Sequence, residues 1–302
     1  MTTHAGELAA LATAVCWAAS AVSFEAASQR IGSLAVNGIR LALGLAFLCI
    51  LGVFLHGRPL PTDAQADAWA WLGLSGLIGF VIGDLCLFRA FVLIGSRLSM
   101  LVMTLAPPAT ALLGWIFLGE VLTPLQLLGM SLTVGGVAWT VLERTNGALA
   151  GRPQRTAAER TRGILLGVGG ALGQAGGLVL SKMGMQTYPD PFAATQIRII
   201  AGIAGFAIVY TAIGWWPRVM AARHQPRGLG QTAVGSFFGP FLGVSLSLMA
   251  VHWTSAGIAA ALMSLTPILI IPLVYFLYRE RVSPRALMGT GLAVAGVVIL
   301  FQ

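Results

Sequence analysis

Apolar residues fall in long runs, and each run approaches the length that crosses a bilayer. A transmembrane helix needs about 20 mainly apolar residues. Such runs lie near 6–27, 34–55, 68–93, 97–118 and 123–142, and again near 163–184, 191–214, 229–251, 256–277 and 284–301. Tight connections near 94–96 and 119–122 divide adjoining runs, with counterparts near 252–255 and 278–283. A polar segment, ERTNGALAGRPQRTAAERTR, separates the two sets at 143–162. The pattern predicts an all-α integral membrane protein with ten transmembrane helices. They divide into residues 1–143, an Arg-rich linker at 144–162, and residues 163–302.

The second half is a weaker copy of the first. An offset of 160 carries Pro107, Glu120, Pro124, Gly129 and Gly136 onto Pro267, Glu280, Pro284, Gly289 and Gly296. The same offset carries Gly79 to Gly239, Gly83 to Gly243 and Ala90 to Ala250. Between 96 and 139 there are 12 identities in 44 positions, without a gap. Five spans per copy is an odd number, so the second copy starts from the opposite membrane face. The halves are therefore expected to be inverted repeats about an axis in the membrane plane.

Composition agrees with lipid as the main solvent. Hydrophobic residues are 57% of the chain and charged residues 9%, against about 25% charged in a soluble domain. The 38 glycines suit close helix packing in lipid. The net charge of +8 is not a nucleic-acid signature, because most basic residues sit in short loops. Thirteen of the 18 lie in the linker and the loops after odd-numbered spans, from Arg30 to Arg285, against Arg58 on the other side. Basic residues accumulate on the cytoplasmic side, which argues for external termini. Cys16, Cys49 and Cys86 lie inside apolar runs and read as small apolar fillers. The N-terminal MTTHAGE lacks the basic start of a signal peptide, so the first run is expected to be retained.

The segments LAPPATALLGWIFLGEVLTPLQLLGMSLTVGGV and LTPILIIPLVYFLYRERVSPRALMGTGLAVAGV, in register across ten spans, resemble the EamA-like family of the drug/metabolite transporter superfamily. The resemblance covers essentially the whole chain. It implies a multi-pass protein of the cell membrane, a bacterial inner membrane being the expected setting. It also implies export or exchange of amino acids or similar small amphipathic metabolites. The family's habit is cytoplasmic termini, whereas the arginine distribution here argues for external ones, and both orientations stay open.

Ionisable residues within spans are costly and by default face a cavity or one another. Glu25 and Lys182 occupy corresponding places late in the first span of each half, and Arg40 and Arg198 correspond early in the second. Glu25 can pair with Arg40. Lys182 and Arg198 either reach for the surface or attract an anionic substrate group, with Asp190 nearby as another partner. Asp84 lies nearest mid-membrane, where a carboxyl group can carry a proton; pairing with Arg89 is its structural alternative. His252 ends span 8. Trp17 and Ser20 correspond to Gln174 and Gly177, and are expected to line a cavity. The expected substrate-binding set is thus Trp17, Ser20, Glu25, Asp84, Gln174, Lys182, Arg198 and His252.

Glu120 and Glu280 sit at span ends before prolines and read as helix-end fixtures that accept amides opening the next helix. Pro107 and Pro267 are the expected hinges, since proline removes a backbone donor and bends a helix. The function these features predict is secondary transport by alternating access. Small-molecule substrate, lipid and protons are the expected partners, and the chain is expected to act as a monomer or homodimer. No cofactor or metal is expected: the four histidines are scattered and no phosphate-binding loop occurs. A membrane-embedded enzyme or a non-transporting sensor or scaffold is the alternative.

Overall fold

The computed structural model describes residues 4–146, 156–269 and 284–301. Among these the secondary structure is helical throughout. Seven helices are long and apolar enough to cross a membrane: Ala5–Ile31, Ser33–His56, Ala66–Leu87, Pro124–Leu142, Ala157–Met185, Pro191–Ala212 and Pro226–Trp253. Three shorter apolar helices, Ala106–Leu118, Ala256–Leu269 and Leu287–Leu300, accompany them.

Local chemistry sets the helix ends. Helix α1 (Ala5–Ile31) and helix α2 (Ser33–His56) are joined by Gly32 alone, at φ 83°, a left-handed value that a side chain would strain. The helix Ala157–Met185 opens with a capping box. Thr156 accepts the Glu159 amide at 3.2 Å, and Glu159 accepts the Thr156 amide at 3.0 Å. Asp190 caps the helix Pro191–Ala212, accepting the Phe192 and Ala193 amides at 2.9 and 3.1 Å. Helices reach into the expected linker at 144–162, as far as Asn146 and from Ala157.

The third span of each half contains a π-helical turn, Leu77–Gly83 in the first and Phe237–Gly243 in the second. The two are separated by the repeat offset, so the irregularity is a property of the repeat. The expected division near 94–96 is not found: one helix runs unbroken over Asp84–Met103. The chain breaks instead at Thr104 and Leu105, next to Pro107, and the corresponding break falls at Ser264 and Leu265, next to Pro267. In the second half the expected break does occur, at Thr254 and Ser255.

Glycine contacts show how the halves meet. A Cβ on Gly129 would lie 3.0 Å from Gly296 O, and one on Gly289 would lie 2.9 Å from Gly136 O. Thus the helices Pro124–Asn146 and Pro284–Leu300 touch at 129 with 296 and at 136 with 289. The register runs antiparallel, and the two contacts exchange under the repeat offset. A two-fold relation between the halves produces this pattern. The first helix of each half also lies along the third span of the other. Gly173 and Gly177 meet Gly83 and Gly79, while Trp17 and Ser20 meet Gly243 and Gly239. Ser75 fastens the first of these crossings, donating to Gly177 O at 2.5 Å and bonding Ser181 at 2.7 Å. Without a hydrophobic drive between helices in lipid, such close backbone approach and interhelical hydrogen bonding hold spans together.

Candidate functional site

Both π turns border one central cavity of about 300 Å³. A π turn adds a residue to the helical cycle and turns backbone and side chains out of the regular register, which is why such turns favour functional sites. Gly79, Phe80 and Gly83 come from the first turn, Gly239 and Pro240 from the second. Of the sequence-predicted residues, Trp17, Ser20, Asp84, Gln174 and Arg198 line the cavity. Arg40, Phe24 and Val244 join them.

The charges are placed by the repeat. Arg40 and Arg198 occupy corresponding turns of the second span in each half, and both face the cavity. Each guanidinium lies over a phenylalanine ring: Arg40 is 5.6 Å from the centroid of Phe24, Arg198 4.9 Å from that of Phe80. Such stacking favours a cation where water is scarce. Arg40 is ion-paired with Asp84. Asp84 is paired with Arg40, and Arg89, its structural alternative, is exposed. The side chain of Glu25 lies outside the described residues.

Two of the predicted residues are elsewhere. Lys182 does not line the cavity: its Nζ is 2.5 Å from Glu120 Oε1 and donates to Thr254 O at 2.6 Å. His252 is exposed at a helix end beside Trp253. Glu120 was expected to accept amides of the next helix, but it reaches across to the other half and accepts the Ala256 amide at 2.8 Å. Thr254 in turn donates to Glu7 Oε1 at 3.0 Å. Glu7, Glu120, Lys182, Thr254 and Ala256 thus form one polar network between the halves, on the side that carries the N-terminus. Glu280 lies outside the described residues. Asp190 pairs with His56 at 2.8 Å, not with Lys182 or Arg198. Among the described residues the three cysteines are free thiols.

Sequence reasoning missed the π turns and the cross-half partner of Lys182. The repeated Gly79/Gly83 and Gly239/Gly243 spacing was the available signal for the turns.

The EamA-like transporter family profile matches residues 4–142 and again 161–302. The chain belongs to the EamA-like transporter family. Its two matches make it a two-repeat member, multi-pass in the membrane. No curated protein sequence matches the chain. A solved crystal structure described without a function is similar in fold, with a TM-score of 0.72 at 16% identity, covering 98% of this chain and 96% of that one.

Proposed function

We propose that this EamA-like protein is a secondary transporter that exports or exchanges a small amphipathic, amino acid-like metabolite by alternating access. The observation that carries the reading is the central cavity. It holds buried charge, it lies between the halves, and both of its repeat-related walls are irregular helices. Irregular backbone at membrane depth is tolerated where it lines such a cavity, and transporter sites lie at repeat interfaces near the midplane. The three short apolar helices complete ten spans as two inverted sets of five, in a bacterial inner membrane. Trp17, Ser20, Asp84, Gln174 and Arg198 form the substrate surface, and the paired breaks beside Pro107 and Pro267 act as hinges. Asp84 is the candidate proton carrier, and the protein works as a monomer or homodimer.

The test is flux in proteoliposomes loaded with labelled amino acids, nucleosides and other small metabolites, with and without a pH gradient. Saturable uptake or counterflow of at least one class is expected. No flux for any class rejects transport. Asp84→Asn is expected to abolish proton-driven flux while sparing exchange; unchanged pH dependence rejects the coupling role.

A further inference from the structure

Among the described residues, the charge lining the cavity is unbalanced. Its described walls carry two guanidiniums, Arg40 and Arg198, against one carboxylate, Asp84. The repeat explains which cation is left over. Arg40 has its acid in Asp84, on the third span of its own half. The position that corresponds to Asp84 in the second half is Val244, which also lines the cavity. Arg198 feels the charge of Asp84 across the cavity but has no acid of its own at the corresponding position, which is a valine. Only 5% of Arg198 is exposed, and among the described residues it makes no ion pair; its buried Nε has no hydrogen-bond partner, as is also true of Arg40. Arginine does not shed its proton in proteins, so the charge must be met some other way. A guanidinium fork matches a carboxylate better than any neutral acceptor does.

Resting on the transporter reading, we propose that the cavity selects small monocarboxylates with an apolar body, and that Arg198 anchors the carboxylate. The ligand supplies the acid that Val244 lacks. One negative charge balances the described walls, whereas a dianion overshoots them. Trp17, Phe24, Leu41 and Phe80 supply the apolar and aromatic surface for the body. The Arg40–Asp84 pair stays satisfied while the anion is bound.

The test is equilibrium binding of labelled 3-phenylpropionate to the purified full chain. Hexanoate, 3-phenylpropionamide, 2-phenylethylamine and phenyl phosphate serve as unlabelled competitors. The two carboxylates are expected to compete at least about tenfold better than the amide, the amine or the phosphate. Val244→Asp gives Arg198 an internal acid and is expected to weaken carboxylate binding by about tenfold or more. Val244→Asn, similar in size but uncharged, is expected to keep the preference for acid over amide. Absence of saturable carboxylate binding, equal competition by the amide or amine, tighter binding of the phosphate, or undiminished acid binding by Val244→Asp would overturn the assignment. Acid-selective binding without flux in proteoliposomes would leave the site standing and reject transport. Flux of other solutes without acid preference would do the reverse.

Discussion

Lys182 Nζ and Glu120 Oε1 lie 2.5 Å apart and belong to opposite halves of the repeat. Each has a further backbone partner in the 254–256 connection: Lys182 donates to Thr254 O, and Glu120 accepts from Ala256 N. The pair therefore ties the first helix of the second half, the end of the fourth span of the first half, and the break between spans eight and nine. On the arginine-based orientation this is the outer end of the cavity. An alternating-access cycle has to break this network when that end opens.

Weakening the network is expected to favour the state open at that end. The two side chains are only 19% and 15% exposed. Removing one partner of such a buried pair costs about 3–5 kcal/mol, because the other charge is left unmet. Lys182→Met is expected to lower the melting temperature of the purified protein. It should also speed labelling of a cysteine placed at Ser255 by a membrane-impermeant maleimide. The charge swap Lys182→Glu with Glu120→Lys is expected to recover only part of the loss, since a lysine at 120 cannot accept the Ala256 amide. Full recovery, or unchanged labelling in Lys182→Met, would show that the network does not hold this end shut.

The Arg40–Asp84 pair is expected to behave as a unit. Both side chains are largely buried, 17% and 20% exposed. Asp84→Asn and Arg40→Gln are each expected to destabilise the protein by about 3 kcal/mol, with the double substitution costing about 1–3 kcal/mol less than their sum. Thermal denaturation of the four proteins of this cycle measures the coupling. Additive losses would mean that each residue is held by something other than its partner.

Long-range pairing was the least legible part of the sequence. The apolar runs and the offset of 160 carried the helices, the doubled architecture and the positions of Pro107 and Pro267, because burial in lipid and helix breaking are local demands. They also brought Trp17, Ser20, Asp84, Gln174 and Arg198 into consideration, since polar groups in apolar spans are conspicuous. Which groups meet was hidden. Asp84 has Arg89 five residues on and Glu120 precedes a helix start, so local partners suggested themselves for both. Asp84 instead bonds Arg40 from another span, and Glu120 bonds Lys182 and Ala256 from the other half. The register of packed helices decides such pairs, and it is written in the small residues of their interfaces. The π turns escaped notice because Gly-x-x-x-Gly spacing is common to ordinary helix contacts.

The glycine interface between Pro124–Asn146 and Pro284–Leu300 should tolerate no added volume. A Cβ at Gly289 would sit 2.6 Å from Thr140 Oγ1 and 2.9 Å from Gly136 O, too close for either to remain in place. Gly289→Val is expected to cost at least about 1–3 kcal/mol through overpacking, seen as a lower melting temperature or loss of folded protein on size exclusion. Gly136→Val should act alike, because a Cβ there would sit 2.5 Å from Gly289 O in the same contact. Gly291 is the control: nothing lies within 4 Å of a Cβ built there. Gly291→Ala should be neutral, or stabilising by up to about 1 kcal/mol from helix propensity. Equal tolerance at 289 and 291 would remove the case for this helix contact.

Outside the membrane spans, Asp63 links the loop after the second helix to the connection before Pro191. It pairs with Arg58 and accepts the Tyr188 hydroxyl at 2.8 Å. Burial works to raise its pKa, but the bonds from Tyr188 and Arg58 outweigh it and hold the carboxyl below the usual carboxylate range. A group lowered in the folded state stabilises it above the unfolded value, about 3.9 for an aspartate. That contribution disappears as pH falls through the lower, folded value. Asp63→Asn should therefore melt below the wild type near neutral pH and converge with it in acid. The difference should be small, because 41% of the Asp63 side chain is exposed and solvent screens the pair. Tyr188→Phe removes one of the bonds that hold the carboxyl ionised, so its acid transition should begin at higher pH than the wild type's. Melting curves from neutral pH down to about pH 3 resolve both effects. Parallel curves for all three proteins would mean that Asp63 contributes nothing through its charge.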